Sequence, residues 1–332
     1  MWLPQNAIIA VTYRCNGRCL TCDIWKKKNK KALPPHFYSR LPFSLKDINL
    51  TGGEPFLRSD LPDIVRVIKK TCPKARIVIN TNGLLPEKIF SLSRKIKQID
   101  PKIAIRVSLD GLEKIHDQIR GVKGSFQKAL LTSEKLRKIP IKDLGISFNL
   151  MEKNKNDLLP LFQLAQKKKW QFSLTTPTSS SIFFGTNKEK LRPRIGKTIN
   201  FILKKLEKEY YQSLSPKNWL RGWFAHSLWQ YLQKGKRSFS CDAGANFFYL
   251  DPLGNVYPCH LKNWCLGNLD KENFEKIWKK ANQYQQQIQK CQDCWMICTT
   301  KASLQKNLTK IIRQVFYGKI LSLFQLKSGK NL

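Results

Sequence analysis

Three cysteines, Cys15, Cys19 and Cys22, stand within eight residues near the start of a 332-residue chain, in the segment CNGRCLTC. Thiolates bind soft metal centres, and three of them in one short loop can converge on a single iron-sulfur cubane. Three ligands would hold three of its irons and leave the fourth iron open to chelate a small molecule. The alternatives are a zinc site that lacks its fourth ligand and three incidental cysteines.

The last third of the chain contains a second cysteine group, at positions Cys241, Cys259, Cys265, Cys291, Cys294 and Cys298. The first eleven residues have neither the basic start nor the small-residue cleavage site of a secretion signal, so we expect a cytoplasmic protein. Reducing conditions there make a disulfide framework a poor explanation for ten cysteines. Four of these thiolates could instead form a zinc ribbon. The isolated Cys72 is predicted to be a buried small residue.

The segment TGGEP, residues 51–55, is a further candidate for ligand binding. Its glycines, Gly52 and Gly53, would let the backbone approach a ligand closely, and the carboxylate of Glu54 can accept a hydrogen bond from an ammonium group. By itself the segment is a weak signal and is more typical of an ordinary turn between a strand and a helix.

The first half of the chain alternates short β-rich runs with amphipathic helical patterns, which predicts parallel βα units. The expected strands cover residues 7–13, 48–51, 76–80, 103–109, 145–150 and 171–175. The expected helices cover residues 61–70, 87–99, 125–139 and 156–169. Six such units make an α/β fold with a partial (β/α)6 barrel. Because chemistry in parallel barrels collects after the carboxyl ends of the strands, the first cysteines and the TGGEP segment lie where an active site is expected.

Four regions follow from these patterns: a barrel core at 1–185, a helical connector at 186–236, a small domain at 237–300 and a basic tail at 301–332. Within the connector, residues 187–211 are predicted to be a long helix. Residues 213–235 are punctuated by Ser, Pro and Gly and are predicted to be a connector. The small domain should contain a hairpin built on residues 247–257.

The cysteine triplet after the first strand, together with Gly-Gly-Glu-Pro after the second, resembles the radical S-adenosylmethionine (SAM) superfamily. The segments SLDG at 108–111, IRG at 119–121 and GSF at 124–126 resemble members that carry a C-terminal cluster domain. The segments GNVYPC at 254–259, LGNL at 266–269 and CQDC at 291–294 resemble SPASM domains and the shorter twitch domains. The resemblance extends over about residues 7–301.

This resemblance implies that Cys15, Cys19 and Cys22 bind a SAM-cleaving 4Fe-4S cluster. It also implies a SAM-binding set, in which Gly52-Gly53-Glu54 meets the methionine amino group, Ser108 and Arg120 hold the carboxylate, and Asn82 and Asn149 lie near the ribose or adenine. The chain departs from the family pattern at Thr21, where an aromatic residue commonly faces the adenine. Trp25 or Tyr13 would have to supply that surface.

For the C-terminal domain the resemblance implies one auxiliary 4Fe-4S cluster, because a full SPASM domain with two clusters needs more cysteines. The implied ligands are Cys241, Cys259, Cys291 and Cys294. Cys298 is an alternative fourth ligand or a redox-active neighbour. Cys265 could be a cluster ligand or a structural cysteine. His260 occupies the place where sulfatase-maturing relatives have an acidic residue, so it is a candidate proton acceptor. A surface histidine beside a ligand is the alternative.

The implied activity is reductive cleavage of SAM to a 5'-deoxyadenosyl radical, which abstracts hydrogen from a substrate. The auxiliary cluster would accept an electron or bind the substrate, and flavodoxin or ferredoxin would supply electrons. A single auxiliary cluster resembles dehydrogenases of aminocyclitols, which favours a small sugar-like or cell-envelope metabolite. The alternative is a ribosomal peptide. Peptide-modifying relatives often have an N-terminal recognition domain, and here the first strand begins near residue 7.

The net charge of +37 indicates anionic partners. The alternative to an enzyme is a non-catalytic zinc- or iron-binding protein that uses this charge to hold nucleic acid. The lysines are spread over the chain rather than gathered in one stripe, so nucleic acid is disfavoured. No acidic residue follows Asp293, and the tail from about 302 to 326 has apolar Leu304, Leu308, Ile311 and Val315 at helical spacing. We expect either peripheral contact with the inner face of an anionic membrane or docking on the cluster domain.

Overall fold

The computed structural model describes residues 3–27, 31–303 and 307–327. Within these residues nine strands form one sheet in the order β6-β5-β4-β3-β2-β1-β7-β8-β9. The strands are β1 Asn6–Ala10, β2 Asp47–Thr51, β3 Arg76–Thr81, β4 Ala104–Ser108, β5 Asp143–Asn149, β6 Gln171–Thr175, β7 Phe247–Leu250, β8 Asn255–Tyr257 and β9 Gly267–Asn268.

Strands β1 to β6 are parallel, each paired with the next along the chain. Helices cover the outside of this sheet and side chains fill its inside, so its strands read as apolar runs such as Ile77 to Ile79, all buried. The expected α/β partial (β/α)6 barrel is confirmed. The strand ends differ from the predicted ones by at most three residues, and both ends of β6 coincide with the prediction. The largest difference is at β1, where buried apolar residues continue beyond the end of the strand.

The helices are α1 Leu61–Thr71, α2 Pro86–Ile99, α3 Glu113–Arg120, α4 Ser125–Arg137, α5 Leu158–Lys167, α6 Lys197–Gln212, α7 Pro216–Lys234, α8 Phe274–Lys279, α9 Gln285–Lys290, α10 Ile297–Ala302 and α11 Leu308–Lys327. Helix α3 was not predicted, because it has only eight residues and two buried side chains. Helix α6 begins ten residues later than expected, beyond Pro193. Proline disfavours helical backbone at the residue before it.

The stretch predicted to be a connector with Ser, Pro and Gly breaks, residues 213–235, is mostly helix α7. Pro216 occupies the first turn of α7, and Gly235 ends it with a left-handed φ of 64°. Both residues therefore act as helix boundaries. Gly222 lies inside the helix because a Cβ there would stand 2.8 Å from the ring of Tyr211 on α6. The glycine permits close packing of the two helices.

The C-terminal hairpin continues the barrel sheet. β7 pairs parallel with β1, and β8 and β9 follow in antiparallel order. Asp251, between β7 and β8, accepts hydrogen bonds from the backbone of Leu253 and Asn255 and from the Tyr13 hydroxyl at 3.0 Å. Tyr13 follows β1 directly, so the hairpin is fastened to the strand that precedes the first cysteines.

Helix α11 docks on α6 and α7. Ile311 is buried, the indole of Trp223 donates to Gln314 at 2.7 Å, and Lys319 lies 3.7 Å from the centre of the Trp219 ring. The expected docking partner was the cluster domain, and the structure places the helix on the connector instead. Leu304 lies outside the described residues. Among the described residues, no helix has the length and apolarity needed to cross a membrane.

A network of charges joins the amino ends of the barrel strands. Asp143 pairs with Arg106 and Arg76, each at 2.7 Å, and Arg76 also reaches Asp47 at 3.1 Å. Lys301, from α10, pairs with Asp47 as well. Charged side chains at this end are therefore engaged with each other, and the opposite end of the sheet carries the cleft described next.

Candidate active site

A cleft opens at the carboxyl ends of the parallel strands. Its volume is about 200 Å³. The structure brings most of the predicted SAM-site residues to its walls, namely Cys15, Cys19, Cys22, Gly52, Gly53, Asn82, Ser108, Arg120 and Asn149. These residues come from five strand ends and from α3, so the barrel positions them as expected. Glu54 is the predicted residue that is missing from these walls.

The first cysteine loop is held by the end of α3. The backbone amides of Arg18 and Leu20 donate to the carbonyls of Arg120 and Ile119, both at 2.9 Å. A methyl group placed on Gly17 would stand 3.5 Å from the sulfur of Cys19 and 3.8 Å from that of Cys15. Both sulfur atoms therefore face the same small space, which is the arrangement that a shared cluster needs.

Burial shifts the ionisation of these thiols. It raises the pKa of Cys15 to about 11 and that of Cys22 to about 12, with smaller contributions from the neighbouring cysteines. Buried thiols of this kind remain protonated at neutral pH unless a cation or metal stabilises the thiolate. An iron-sulfur cluster would supply that stabilisation.

The two glycines of the TGGEP segment are required by packing of one loop on another. A Cβ on Gly52 would stand 2.3 Å from the carbonyl oxygen of Thr12, and one on Gly53 would stand 2.0 Å from that of Arg14. Gly52 also has a φ of 139°. The close approach that the sequence predicted is thus an approach to the backbone of the cysteine loop, which leaves the other side of the segment facing the cleft.

The Glu54 carboxylate is fully buried and engaged within the protein. It accepts hydrogen bonds from the backbone of Asn82 at 2.7 Å and of Phe56 at 3.1 Å, and from the Thr81 hydroxyl at 2.8 Å. Burial raises its pKa to about 7, against the effect of these donors. Glu54 therefore ties the loops after β2 and β3 together. The structure does not bear out direct acceptance of an ammonium group.

Arg120 forms an ion pair that the sequence analysis missed. Its Nη2 lies 2.6 Å from Asp110, and its Nη1 lies 3.6 Å from the sulfur of Cys19. Its Nε has no hydrogen-bond partner among the described residues. Asp110 belongs to the SLDG segment, so a signal for it was present. Arg120 can thus face a carboxylate ligand while Asp110 sets its orientation.

Two further polar atoms at the cleft are buried without a partner in the described part of the chain. They are the side-chain oxygens of Asn149 and Thr175. Buried polar groups are normally satisfied, so unpaired ones at a cleft indicate a ligand. Trp25 also lines the cleft, whereas Tyr13 does not. Of the two aromatic residues considered for the adenine, only Trp25 is therefore in place.

Segments outside the barrel close one side of the cleft. Phe183 and Phe184, after β6, and Met296, beside the CQDC segment, all line it. The sequence did not indicate that these three residues line the cleft, because isolated aromatic and methionine residues form no motif. The C-terminal region therefore contacts the same cleft as the SAM-site residues.

The second cysteine group is assembled from separate segments. The thiol of Cys294 is buried, and Cys241, Cys259 and Cys291 all lie within its electrostatic reach. Burial first, and these neighbours second, raise the pKa of Cys294 well above its usual range. The four cysteines expected to bind one auxiliary cluster are thus neighbours in space.

The remaining C-terminal cysteines lie apart from that set. Cys298 is influenced by Asp47 at the amino end of the sheet, and burial raises its pKa to about 12. Cys265 is exposed, with its sulfur 3.7 Å from the carbonyl of Gly267. Cys72 is fully buried, as expected. Cys241, Cys259 and Cys291 therefore influence the thiol of Cys294, whereas the charge that influences the thiol of Cys298 is that of Asp47.

His260 is 1% exposed and is absent from the cleft walls. Its Nε2 lies 3.0 Å from the sulfur of Met296, and the rings of Phe183 and Phe184 pack around it. Burial lowers its pKa to about 3. His260 therefore does not titrate near neutrality, because water cannot solvate its charged ring. The expected proton-accepting role depended on such a titration.

Among residues 3–27, 31–303 and 307–327, no three Cys, His, Asp or Glu side chains stand close enough to bind one metal ion. The thiols are instead grouped around a wider space. Three half-buried cysteines, an arginine and two unpaired polar atoms at one cleft fit a cluster with a bound ligand that carries amino and carboxylate groups.

Known protein families match both cysteine regions. A profile of the radical SAM superfamily matches residues 9–165, and a profile of the SPASM iron-sulfur cluster-binding domain matches residues 241–295. The chain therefore belongs to the radical SAM superfamily of enzymes and carries a C-terminal SPASM domain. These domains imply a 4Fe-4S cluster with SAM and auxiliary iron-sulfur chemistry.

Three curated relatives represent the similarity. Fe-coproporphyrin III synthase of Methanosarcina barkeri is 31% identical over 48% of this chain and 40% of its own length. The antilisterial bacteriocin subtilosin biosynthesis protein AlbA of Bacillus subtilis is 26% identical over 83% of this chain and 60% of its own. AdoMet-dependent heme synthase of Methanosarcina barkeri is 24% identical over 84% and 83%. The chain thus spans less than two thirds of the first two relatives.

Among solved structures, anSMEcpe with bound AdoMet and the Kp18Cys peptide is similar with a TM-score of 0.63 and 17% identity. The similarity covers 95% of this chain and 100% of that one. At this identity the comparison concerns the fold, and it supports one arrangement of barrel and C-terminal domain over nearly the whole chain.

Proposed function

We propose that this chain reductively cleaves SAM and abstracts a hydrogen atom from a peptide, one side chain of which enters the cleft. The observation that carries the SAM-cleaving part is the convergence of Cys15, Cys19 and Cys22 with Arg120 and Asn149 at the carboxyl end of the barrel. When bound, the cluster supplies the electron that converts SAM to methionine and a 5'-deoxyadenosyl radical, which takes hydrogen from the substrate.

The chain's own residues bind and orient SAM. Cys15, Cys19 and Cys22 would hold the cluster, and the cleft side of Gly52-Gly53 would meet the amino group. Arg120 and Ser108 would hold the carboxylate, while Asn82 and Asn149 would lie near the ribose or adenine. Phe183, Phe184 and Met296 would exclude water from the reacting carbon.

The C-terminal region would hold one auxiliary 4Fe-4S cluster through Cys241, Cys259, Cys291 and Cys294. Their mutual electrostatic influence and the burial of Cys259 and Cys294 support this assignment. The cluster would accept an electron from the substrate or bind it. A flavodoxin or ferredoxin would reduce the SAM-cleaving cluster.

Two substrate classes are represented by relatives that match more than four fifths of this chain, one named for bacteriocin biosynthesis and one for heme synthesis. The relative named for bacteriocin biosynthesis is 26% identical to this chain, and the fold neighbour anSMEcpe was solved with a bound peptide. Both favour a peptide over a tetrapyrrole. These relatives lend no support to the sugar-like metabolite favoured by the cysteine count.

The test is hydrogen transfer from labelled substrates. Anaerobically reconstituted protein would be incubated with dithionite, SAM and deuterated peptides encoded by short genes beside its own gene. We expect deuterium in 5'-deoxyadenosine. Fe-coproporphyrin III serves as the matched competitor. Transfer from the tetrapyrrole with none from the peptides would overturn the peptide proposal, and the absence of any SAM cleavage would overturn the radical SAM activity itself.

We also propose that the outer face of α11 contacts anionic membranes. While Ile311 docks on the connector, the side chains of Leu308, Ile312, Phe316 and Tyr317 are exposed beside the exposed Arg313. Burial of this apolar face in the membrane interface would favour binding. Attraction of anionic headgroups to a segment that has no acidic residue after Asp293 would add to it.

Vesicle co-sedimentation tests this membrane contact. Wild-type protein should bind phosphatidylglycerol-containing vesicles, and an Ile312→Ser/Phe316→Ser variant should bind several-fold less. Phe43→Ser is the matched control, because Phe43 is 74% exposed in the loop before β2. Equal binding of all three proteins would show that net charge alone causes the association, and the proposal would fail.

A further inference from the structure

Arg237 is a buried cation beside the second cysteine group. It lies between the end of α7 and Cys241 and is 7% exposed. Its backbone amide donates to the side chain of Gln292 at 2.8 Å, and its Nη2 donates to the carbonyl of Cys291 at 2.7 Å. The CQDC segment therefore holds this side chain in place.

The other guanidinium donors lie near cysteine thiols. Nε and Nη1 have no hydrogen-bond partner among the described residues. The groups within electrostatic reach of the guanidinium include the thiols of Cys294, Cys241 and Cys291. Arg106 shows the usual solution for an arginine of the same exposure, since it pairs with Asp143 at 2.7 Å. Arg237 has no such carboxylate partner in the described part of the chain.

A buried guanidinium with unused donors is costly unless an anion accompanies it. Four thiolates around an iron-sulfur cluster form such an anion, and its negative charge increases when the cluster is reduced. Hydrogen bonds to the sulfurs and nearby charge are known determinants of cluster potential.

We propose that Arg237 is a positioning residue for the auxiliary cluster, donating to its thiolate sulfurs and favouring its reduced state. This inference rests on the auxiliary cluster of the proposed function. Lys262 is a second cation near Cys259 and Cys291, but it pairs with Asp293 and its side chain is 33% exposed. Lys262 therefore provides a matched comparison in which the charge is already neutralised.

The test is a redox titration monitored by electron paramagnetic resonance. It uses full-length protein in which Cys15, Cys19 and Cys22 are Ala, so that only the auxiliary cluster contributes. Arg237→Gln should make the reduced form roughly tenfold less favoured, a shift of about 59 mV to more negative potential for one electron. Arg237→Lys should shift less, and Lys262→Gln should shift least.

An unchanged potential in the Arg237→Gln protein with its cluster intact would overturn the inference. Cluster loss in the Gln variant with retention in the Lys variant would support it, because charge would then be required for binding. Equal loss in both would indicate a packing role and would overturn it. If the parent protein, with Arg237 intact, binds no iron, the auxiliary cluster of the proposed function is overturned and this inference with it. Iron analysis of the parent therefore distinguishes failure of the proposed function from failure of the Arg237 inference alone.

Discussion

The two cysteine sites differ in how the chain assembles them. Cys15, Cys19 and Cys22 belong to one loop, which starts beyond β1 and is pinned by two backbone hydrogen bonds to the end of α3. Cys241, Cys259, Cys291 and Cys294 come from three segments that meet only after α7, the β7-β8 hairpin and α9 have packed. The first site is nearly preformed by local sequence, and the second depends on long-range folding.

The sites also differ in their charged partners. Arg120 at the first site is paired with Asp110, so cation and anion stand together where a ligand with amino and carboxylate groups would bind. Arg237 at the second site has thiols around it. This difference is the one expected if the first site binds an exchangeable ligand beside its cluster, whereas the second site holds a cluster alone.

The largest expected effect comes from the first site. Replacement of Cys15, Cys19 and Cys22 by Ala should reduce 5'-deoxyadenosine formation under dithionite to background, because the SAM-cleaving cluster loses its protein ligands. Iron should fall from about eight to about four per chain. Cys265→Ala, at an exposed thiol, is the control. Undiminished cleavage in the triple variant would contradict the assignment.

The second site should lose its cluster without loss of SAM cleavage. A Cys241→Ala/Cys294→Ala variant should retain about four irons and still form 5'-deoxyadenosine, but product formation should stop. Cys298→Ala should keep about eight irons, because this thiol is placed near Asp47. Iron loss in the Cys298 variant equal to that in the double variant would show that the ligand set is wrong.

Arg120 provides a smaller effect on the first site. Arg120→Gln should weaken SAM binding roughly thirtyfold, since a hydrogen bond to a charged group is worth about 2 kcal/mol. The substitution also leaves Asp110 buried and unpaired, so an Arg120→Gln/Asp110→Asn variant serves as the control for stability. Equilibrium dialysis of the reconstituted proteins measures affinity. SAM binding equal to that of the wild type would exclude a direct role for Arg120.

The smallest effect on either site is expected at Asp143. Burial alone would raise the pKa of Asp143, but Arg106 and Arg76 together hold it well below its usual range. A lowered pKa stabilises the folded state above the unfolded value of about 3.9, and the contribution is lost only as pH falls below that value. Asp143→Asn should cost about 3 kcal/mol of unfolding free energy, equally at pH 6 and pH 8.

Urea unfolding measures that loss, and the iron ratio between the two sites should not change. A strong pH dependence of the loss between pH 6 and 8 would contradict the lowered pKa. A change in the iron ratio would show that the amino end of the barrel is coupled to one of the cysteine sites.

Strand and helix patterns predicted the six βα units, because their apolar residues follow the periods of buried strands and amphipathic helices. Helix α7 was not predicted because its Pro and Gly residues resemble helix breaks in the sequence. Pro216 and Gly235 are its boundaries, and Gly222 permits close contact with α6. His260 was expected to titrate near neutrality, and only the packing of Phe183, Phe184 and Met296 around it excludes that.

The sequence by itself determined the chemistry of the first site, because its three cysteines lie in one loop whose spacing survives any tertiary arrangement. It also determined the ligand types of the second site. Only the tertiary structure decided that Cys298 stands apart from the other C-terminal cysteines, that Glu54 joins two loops, and that Arg237 faces sulfur. These contacts join residues far apart in the chain, and they depend on burial that arises only when the helices and the extended sheet pack together.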